Sequence, residues 1–209
     1  MAPPIIVLEG IDGAGTTTQA KLLCDYLENK GLTCHQTKQP SDGFIGKLLR
    51  NVLSKTETTN DETVALLYAA DRTDHLTREV RPAQKRGEIV VSDRWYHSSF
   101  AYQGTIEYQK VTDPMSWIRE INRCAQTPDL TFFVDVSVKV AAERRRTAGR
   151  DHELFDDDEI QERVRAGYKR VLETLAGTEN VVIIDGERST EMVSKDIIAG
   201  VEKLLKKVG

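Results

Sequence analysis

Short apolar runs alternate with longer stretches of helical period. The runs IIVLEG (residues 5–10), LTCHQTK (32–38), EIVVSD (88–93), DLTFFVDV (129–136) and NVVIID (180–185) each predict a strand. Most are nearly continuous in apolar character, which suits strands buried on both faces of a parallel sheet. The second is more polar, so it is expected nearer an edge. Between the runs the period is helical: Leu22, Leu23, Tyr26 and Leu27 share one face, with Gly31 as a C-terminal stop. Ile160, Val164, Tyr168, Val171, Leu172 and Leu175 form a second stripe, and Met192, Val193, Ile197, Ile198, Val201, Leu204 and Leu205 a third. Packing is the only role expected of these stripes.

Strand and helix in this alternation predict an α/β fold with a five-stranded parallel sheet and helices on both faces. With 209 residues, no internal repeat and no Pro/Gly-rich linker, a single domain is expected. The segment TAGRDHEL interrupts two helical patterns, with Gly149 among charges, and reads as a lid within about residues 144–155.

Composition narrows the classes. Apolar residues make up 39% and charged residues 30%, with no apolar stretch of membrane-spanning length. MAPPIIVLEG lacks the features of a secretory signal, so a cytoplasmic setting is expected and no membrane partner. Cys24, Cys34 and Cys124 are odd in number and lack C-x-x-C spacing, and are expected to be thiols rather than a disulfide framework or zinc site. A net charge of −4 gives no general attraction to a polyanion, so no nucleic-acid partner is expected. Basic character is local, in ERRRTAGR at 143–150, followed by the acidic DDDE at 156–159.

The stretch GIDGAGTTTQ carries the clearest chemistry. Gly10 and Gly15 hold the glycine positions of G-x-x-x-x-G-K-[ST], but Thr16 stands where the lysine belongs. A glycine-rich turn from strand to helix exposes backbone N–H groups and aims the positive end of the helix dipole at an anion. Gly10, Ile11, Asp12, Gly13, Ala14, Gly15, Thr16, Thr17 and Thr18 are therefore the expected phosphate cradle, with Thr17 offering a hydroxyl to Mg²⁺. Lys21 lies about 7.5 Å further along the helix and points elsewhere. Arg94, just after EIVVSD, is better placed to supply charge, because ligands of open α/β sheets bind at the C-terminal strand ends. Asp93 beside it is the expected carboxylate for the metal or its waters.

IVLEGIDGAG, TKQPSDGFIGKLLR, LLYAADRTDHL, SDRWYHSSFAYQG, RRRTAGRDHEL and RVRAGYKRV occur in the order and spacing of thymidylate kinases, and the chain resembles that family from about residue 5 to 205. The resemblance implies a P-loop NTPase-type three-layer fold, transfer of the γ-phosphoryl of ATP to dTMP with Mg²⁺, and a homodimer. It also implies residue roles. Tyr68 stacks on thymine, Arg72 bonds the base edge, and Ser98, Ser99, Tyr102 and Gln103 line the thymidine pocket. Pro40 and Arg50 complete the acceptor side, and Asp12 meets the sugar hydroxyl or the metal shell. Because Gly13-Ala14 carries no arginine, the catalytic arginine is expected from the lid, among Arg144, Arg146 and Arg150, together with Arg94. The family commonly has R-E-P where this chain has Lys38-Gln39-Pro40, which removes a carboxylate.

Losing one preorganised donor costs roughly 10²- to 10³-fold in rate, and an arginine finger returns on the order of 10³ to 10⁵. Compensation for Thr16 is thus energetically possible. Two rival readings stay open at this point: a nucleotide-binding homologue with little turnover, and a kinase for another (deoxy)nucleoside monophosphate.

Overall fold

The computed structural model describes residues 2–149, 154–155 and 157–208. β1 (Ile5–Glu9) leads through the glycine loop into α1 (Thr16–Asn29), which ends at Gly31 in the left-handed region with φ +77°. β2 (Cys34–Lys38) is followed by α2 (Phe44–Leu53) and α3 (Asp61–His75), and a π turn at Leu76–Val80 joins α3 to α4 (Arg81–Lys85). β3 (Ile89–Asp93), α5 (Tyr96–Tyr102), α6 (Pro114–Ile121), β4 (Leu130–Asp135) and α7 (Val138–Thr147) come next. α8 (Asp158–Leu175), β5 (Val181–Asp185) and α9 (Thr190–Val208) complete the order. All five expected strands are present, and each end lies within two residues of its expected position.

The sheet is parallel throughout, in the order β2-β3-β1-β4-β5. The polar second strand is at an edge, as its composition requires. Alternation along β1 divides the core: Ile6 and Leu8 pack under α1, α8 and α9, while Ile5 and Val7 pack on the other face with Leu76, Val80 and Trp95. Because both faces of β1 are covered, its run had to be continuously apolar.

One expectation is overturned. Cys24 and Cys34 are joined as a disulfide, and Cys124 is the free thiol among the described residues. The chain turns back at Gly31 from α1 into β2, bringing the two Cα atoms to 5.5 Å. Counting cysteines could not show that proximity, because it comes from helix-to-strand packing.

Phe132 on β4 is fully buried, and a Cβ added at Gly200 of α9 would lie 2.7 Å from its ring. Helix and sheet are thus in direct contact at this point. Phe132→Ala is expected to lower stability by about 3–5 kcal/mol, read from urea unfolding; a loss below about 1 kcal/mol would show that the contact can collapse.

Candidate functional site

The loop between β1 and α1 is shaped by close backbone approach. A side chain at Gly10 would strike Ala14 Cβ at 2.7 Å, and one at Gly13 would strike the Ala141 carbonyl oxygen at 2.4 Å. Gly13 and Gly15 have φ of +96° and +95°, the left-handed region that glycine occupies freely. Beside Gly15 the space is open, and this residue caps α1 without a side chain. Gly10 and the buried Ile11 build the loop from beneath, whereas Asp12 through Thr18 line a cleft of about 780 Å³. The N–H groups of the first turn of α1, from Thr16 onward, have no partners within their own helix.

The cleft crosses the C-terminal ends of the strands, as the sheet topology requires. On the β2 side it is lined by Lys38, Pro40, Arg50, Tyr68, Arg72 and Gln103; on the β5 side by Arg144, Gly186, Arg188, Thr190 and Val193. The glycine loop, Asp93, Arg94, Ser98 and Tyr102 lie between the two groups. Most of the residues expected to bind the two halves of a reaction therefore meet in one cavity.

Arg94 is central to it. Its backbone N–H donates to Leu8 O at 2.9 Å, and its φ is +73°, an uncommon conformation for a residue with a side chain. Nη1 donates to Gly10 O at 2.7 Å, and Nη2 donates to Asp12 Oδ1 at 2.6 Å. Burial opposes the charge of Arg94, but Tyr102, Asp12, Tyr168 and Asp93 outweigh it and keep the guanidinium protonated. Nε and the second Nη2 hydrogen meet no protein acceptor among the described residues, leaving donors for an anion in the cleft.

Asp12 is held from several sides. Oδ2 accepts from Tyr102 Oη at 2.9 Å and from Gln161 Nε2 at 3.1 Å, while Gln161 Oε1 accepts from the Asp12 N–H at 3.1 Å. Arg145 donates to the Asp12 carbonyl oxygen. Arg145 was not among the arginines expected to act, yet it is the buried one. It shares its face with Val138 and Ala141, a three-four spacing that could have found it.

Of the expected lid arginines, Arg144 reaches the cleft and donates to Ala14 O at 3.2 Å and Gly186 O at 2.9 Å. Arg146 is exposed on another face of α7 and does not line the cleft. Arg150 lies outside the described residues, as do positions 151–153 of the expected lid. Arg188, which sequence reasoning missed, lines the cleft and pairs with Asp196 at 2.5 Å.

On the acceptor side Arg50 donates to Pro40 O at 3.0 Å and Ser41 O at 2.6 Å. Arg72 is buried, which pushes its pKa down to about 10. Nε donates to Gln39 Oε1 at 2.9 Å, Nη1 to Asn122, and Nη2 to Trp95 O at 3.2 Å and Ser99 Oγ at 3.1 Å. Among the described residues four of its five N–H donors are used, and Nη1 keeps one. Ser99 differs from expectation: it is buried and holds Arg72 instead of lining the cleft.

Beneath Ser98 lies a buried acid network that the sequence did not reveal. Glu9 accepts from the Trp95 N–H at 2.8 Å, Ser98 Oγ at 2.6 Å and Tyr168 Oη at 2.8 Å. Tyr168, expected only to pack, does stack against Phe133, but its hydroxyl also reaches Ser98 at 2.7 Å and Arg94 Nη1 at 3.2 Å. A stripe position carries a hydroxyl as well as a ring, and only the tertiary structure shows where that hydroxyl ends. His97 sits between two carboxylates, with Nε2 2.8 Å from Glu179 Oε2 and Nδ1 3.6 Å from Glu9 Oε1.

Thr17 donates its hydroxyl to Asp93 Oδ2, while Asp93 Oδ1 is buried without a hydrogen-bond partner among the described residues. A hydroxyl beside a carboxylate with an unsatisfied oxygen fits a hard divalent cation that keeps most of its water shell. No group of three or more His, Cys, Asp or Glu residues able to hold a metal occurs among the described residues, so any such cation relies on ligand oxygens as well.

The His97 cluster has a definite pH signature. Burial opposes the charge of His97, but Glu179 and Glu9 outweigh it and raise its pKa. Burial likewise works to raise Glu9, and His97, Arg94 and Ser98 outweigh it and lower its pKa. The raised histidine stabilises the fold below its unfolded pKa of about 6.5 and loses that contribution as pH rises through its folded value; the lowered carboxylate contributes above about 4.5. His97→Gln is thus expected to cost about 3–5 kcal/mol near pH 6 and less near pH 9. Urea unfolding at both pH values checks this, and an equal loss would contradict the charged cluster.

A family model described as thymidylate kinase matches residues 8–197. The chain is 37% identical over 208 residues to a probable thymidylate kinase of Thermococcus kodakarensis, covering 96% of this chain and 98% of that protein. It is 36% identical to a probable thymidylate kinase of Pyrococcus horikoshii, covering 93% of each, and 33% identical to a thymidylate kinase of Fervidobacterium nodosum, covering 92% and 95%.

Proposed function

The chain belongs to the thymidylate kinase family, and we propose that its cleft transfers the γ-phosphoryl of ATP to dTMP, giving dTDP and ADP. It is an ATP-dependent nucleoside monophosphate kinase, a phosphotransferase of nucleotide biosynthesis. The observation that carries the residue assignment is the position of Arg94, fixed at the centre of the cleft with N–H donors left for phosphate.

Phosphoryl transfer asks a protein chiefly to position groups and neutralise charge. ATP lies with its phosphates on Asp12 through Thr18, over the first turn of α1, and extends toward Arg188 and Thr190. On the other side dTMP stacks its base on Tyr68, uses the remaining Nη1 donor of Arg72, and places its sugar against Tyr102, where a 2′-hydroxyl is disfavoured. Arg50, beside Pro40, and Arg94 face its phosphate, with Ser98 and Gln103 filling the wall. Asp12 orients Arg94 and Tyr102.

Thr17 and Asp93 would hold Mg²⁺, which would supply positive charge to the phosphates; the unsatisfied Asp93 oxygen supports this. Arg94 and Arg144 take over the work of the absent lysine, from opposite sides of the loop. Residues 1–209 act as one kinase domain with a lid at about 144–155, a reading supported by the run of arginines and by a family match along 8–197. The same reading carries a homodimer, a cytoplasmic setting and no nucleic-acid partner, the last supported by the net charge of −4.

ADP release coupled to dTMP addition tests the proposal: both nucleotides binding without turnover would sink it. Arg94→Ala is expected to lower kcat/KM about 10³-fold or more. Thr16→Lys is expected to change turnover less than that; a larger effect would contradict compensation by the arginines.

A further inference from the structure

Gln39 lies between Arg72 and His75. Arg72 Nε donates to Gln39 Oε1 at 2.9 Å, and Gln39 Nε2 is 3.2 Å from His75 Nδ1. Gln39 and Arg72 are both buried, and the His75 side chain is fully enclosed. On its far side His75 Nε2 meets Thr37 Oγ1 at 2.8 Å and Glu79 Oε2 at 3.5 Å. Thr37 Oγ1 also donates to Glu79 Oε1 at 2.5 Å, and His35 contacts Glu79 and Glu88. The Trp95 ring packs edge-on against His75.

The hydrogen-bond logic of this chain allows one arrangement. A guanidinium only donates, so Gln39 must turn its oxygen to Arg72 and its amide nitrogen to His75. Nδ1 of His75 must then accept, which leaves the imidazole neutral with its proton on Nε2. A proton added at Nδ1 would set two donors face to face. Turning the amide to relieve that would set its N–H groups against Arg72 instead. A glutamate at position 39 has no such conflict, because both of its oxygens accept.

We propose that Gln39 is a positioning residue for Arg72 and that the neutral tautomer of His75 locks its amide, making the grip on the acceptor base sensitive to acid. The surrounding charges are Glu79 from the π turn, Arg72 on the same helix, and His35 of β2 with Glu88 beyond it. Glu79 is held well below the usual carboxylate range by hydrogen bonds from His35 and His75, so it stays charged and attracts a proton to the far side of the ring. The inference rests on the reading that Arg72 meets the thymine.

Thymidine is the suitable probe, since it lacks the phosphate that titrates in dTMP. Its Ki against dTMP is measured between pH 8 and pH 5, the range in which histidine changes charge. The Ki is expected to rise about tenfold on acidification, and Gln39→Glu is expected to flatten the rise. A flat wild-type profile, or an unchanged slope in the variant, overturns the inference while leaving the acceptor site in place. Absence of thymidine binding at every pH overturns both. ¹⁵N NMR of wild-type His75 gives a check that needs no variant: at pH 8 Nδ1 should be unprotonated, and a protonated Nδ1 would overturn the proposal.

Discussion

The half-buried pairing of Arg94 with Asp12 holds the site together. One guanidinium touches the end of β1, the glycine loop, α5 through Ser98 and α8 through Tyr168. Burying a charge is costly unless it is paired and its donors are satisfied, and Asp12 meets that need while Tyr102 and Gln161 satisfy Asp12 in turn. The left-handed backbone at Arg94 costs on the order of 1–3 kcal/mol, and the Leu8 carbonyl and the side-chain contacts hold it there. The result is a cation that cannot swing away from the loop it serves.

That fixity bears on the missing lysine. A P-loop lysine is a flexible point charge carried on the helix itself. In the proposed reading charge comes instead from residues anchored elsewhere, Arg94 on the β3 side and Arg144 on α7, each tied to loop carbonyls at Gly10 or Ala14. Planar guanidinium groups suit phosphate oxygens, and their anchoring means little reorganisation is left for the reaction. The threonine leaves the backbone cradle in place and lacks only the lysine's ammonium.

Much of the fold was legible because a parallel sheet writes itself as continuous apolar runs. β1, β3 and β4 were plain, and the polar β2 announced its edge position. The glycine loop, the DR pair and the acceptor residues were legible as motifs. Glu9 and Gln161 were not, since each acts across distances in sequence that no local pattern records, whereas Arg145 left a signal in its spacing from Val138 and Ala141. Tyr168 was misjudged because helical spacing reports which face is buried and says nothing of where a hydroxyl ends. The Cys24–Cys34 link escaped for the same reason: proximity is made by packing.

The long spans of these contacts also bear on how the chain folds. β1 is central and pairs with β3 and β4, so its neighbours are not synthesised until residues near 93 and 135. Glu9 and Asp12 then wait for Tyr168 and Gln161, contacts separated by 159 and 149 residues. Such high contact order slows folding. The glycine loop, which precedes in the chain the partners that complete it, is therefore among the last parts of the protein to be finished.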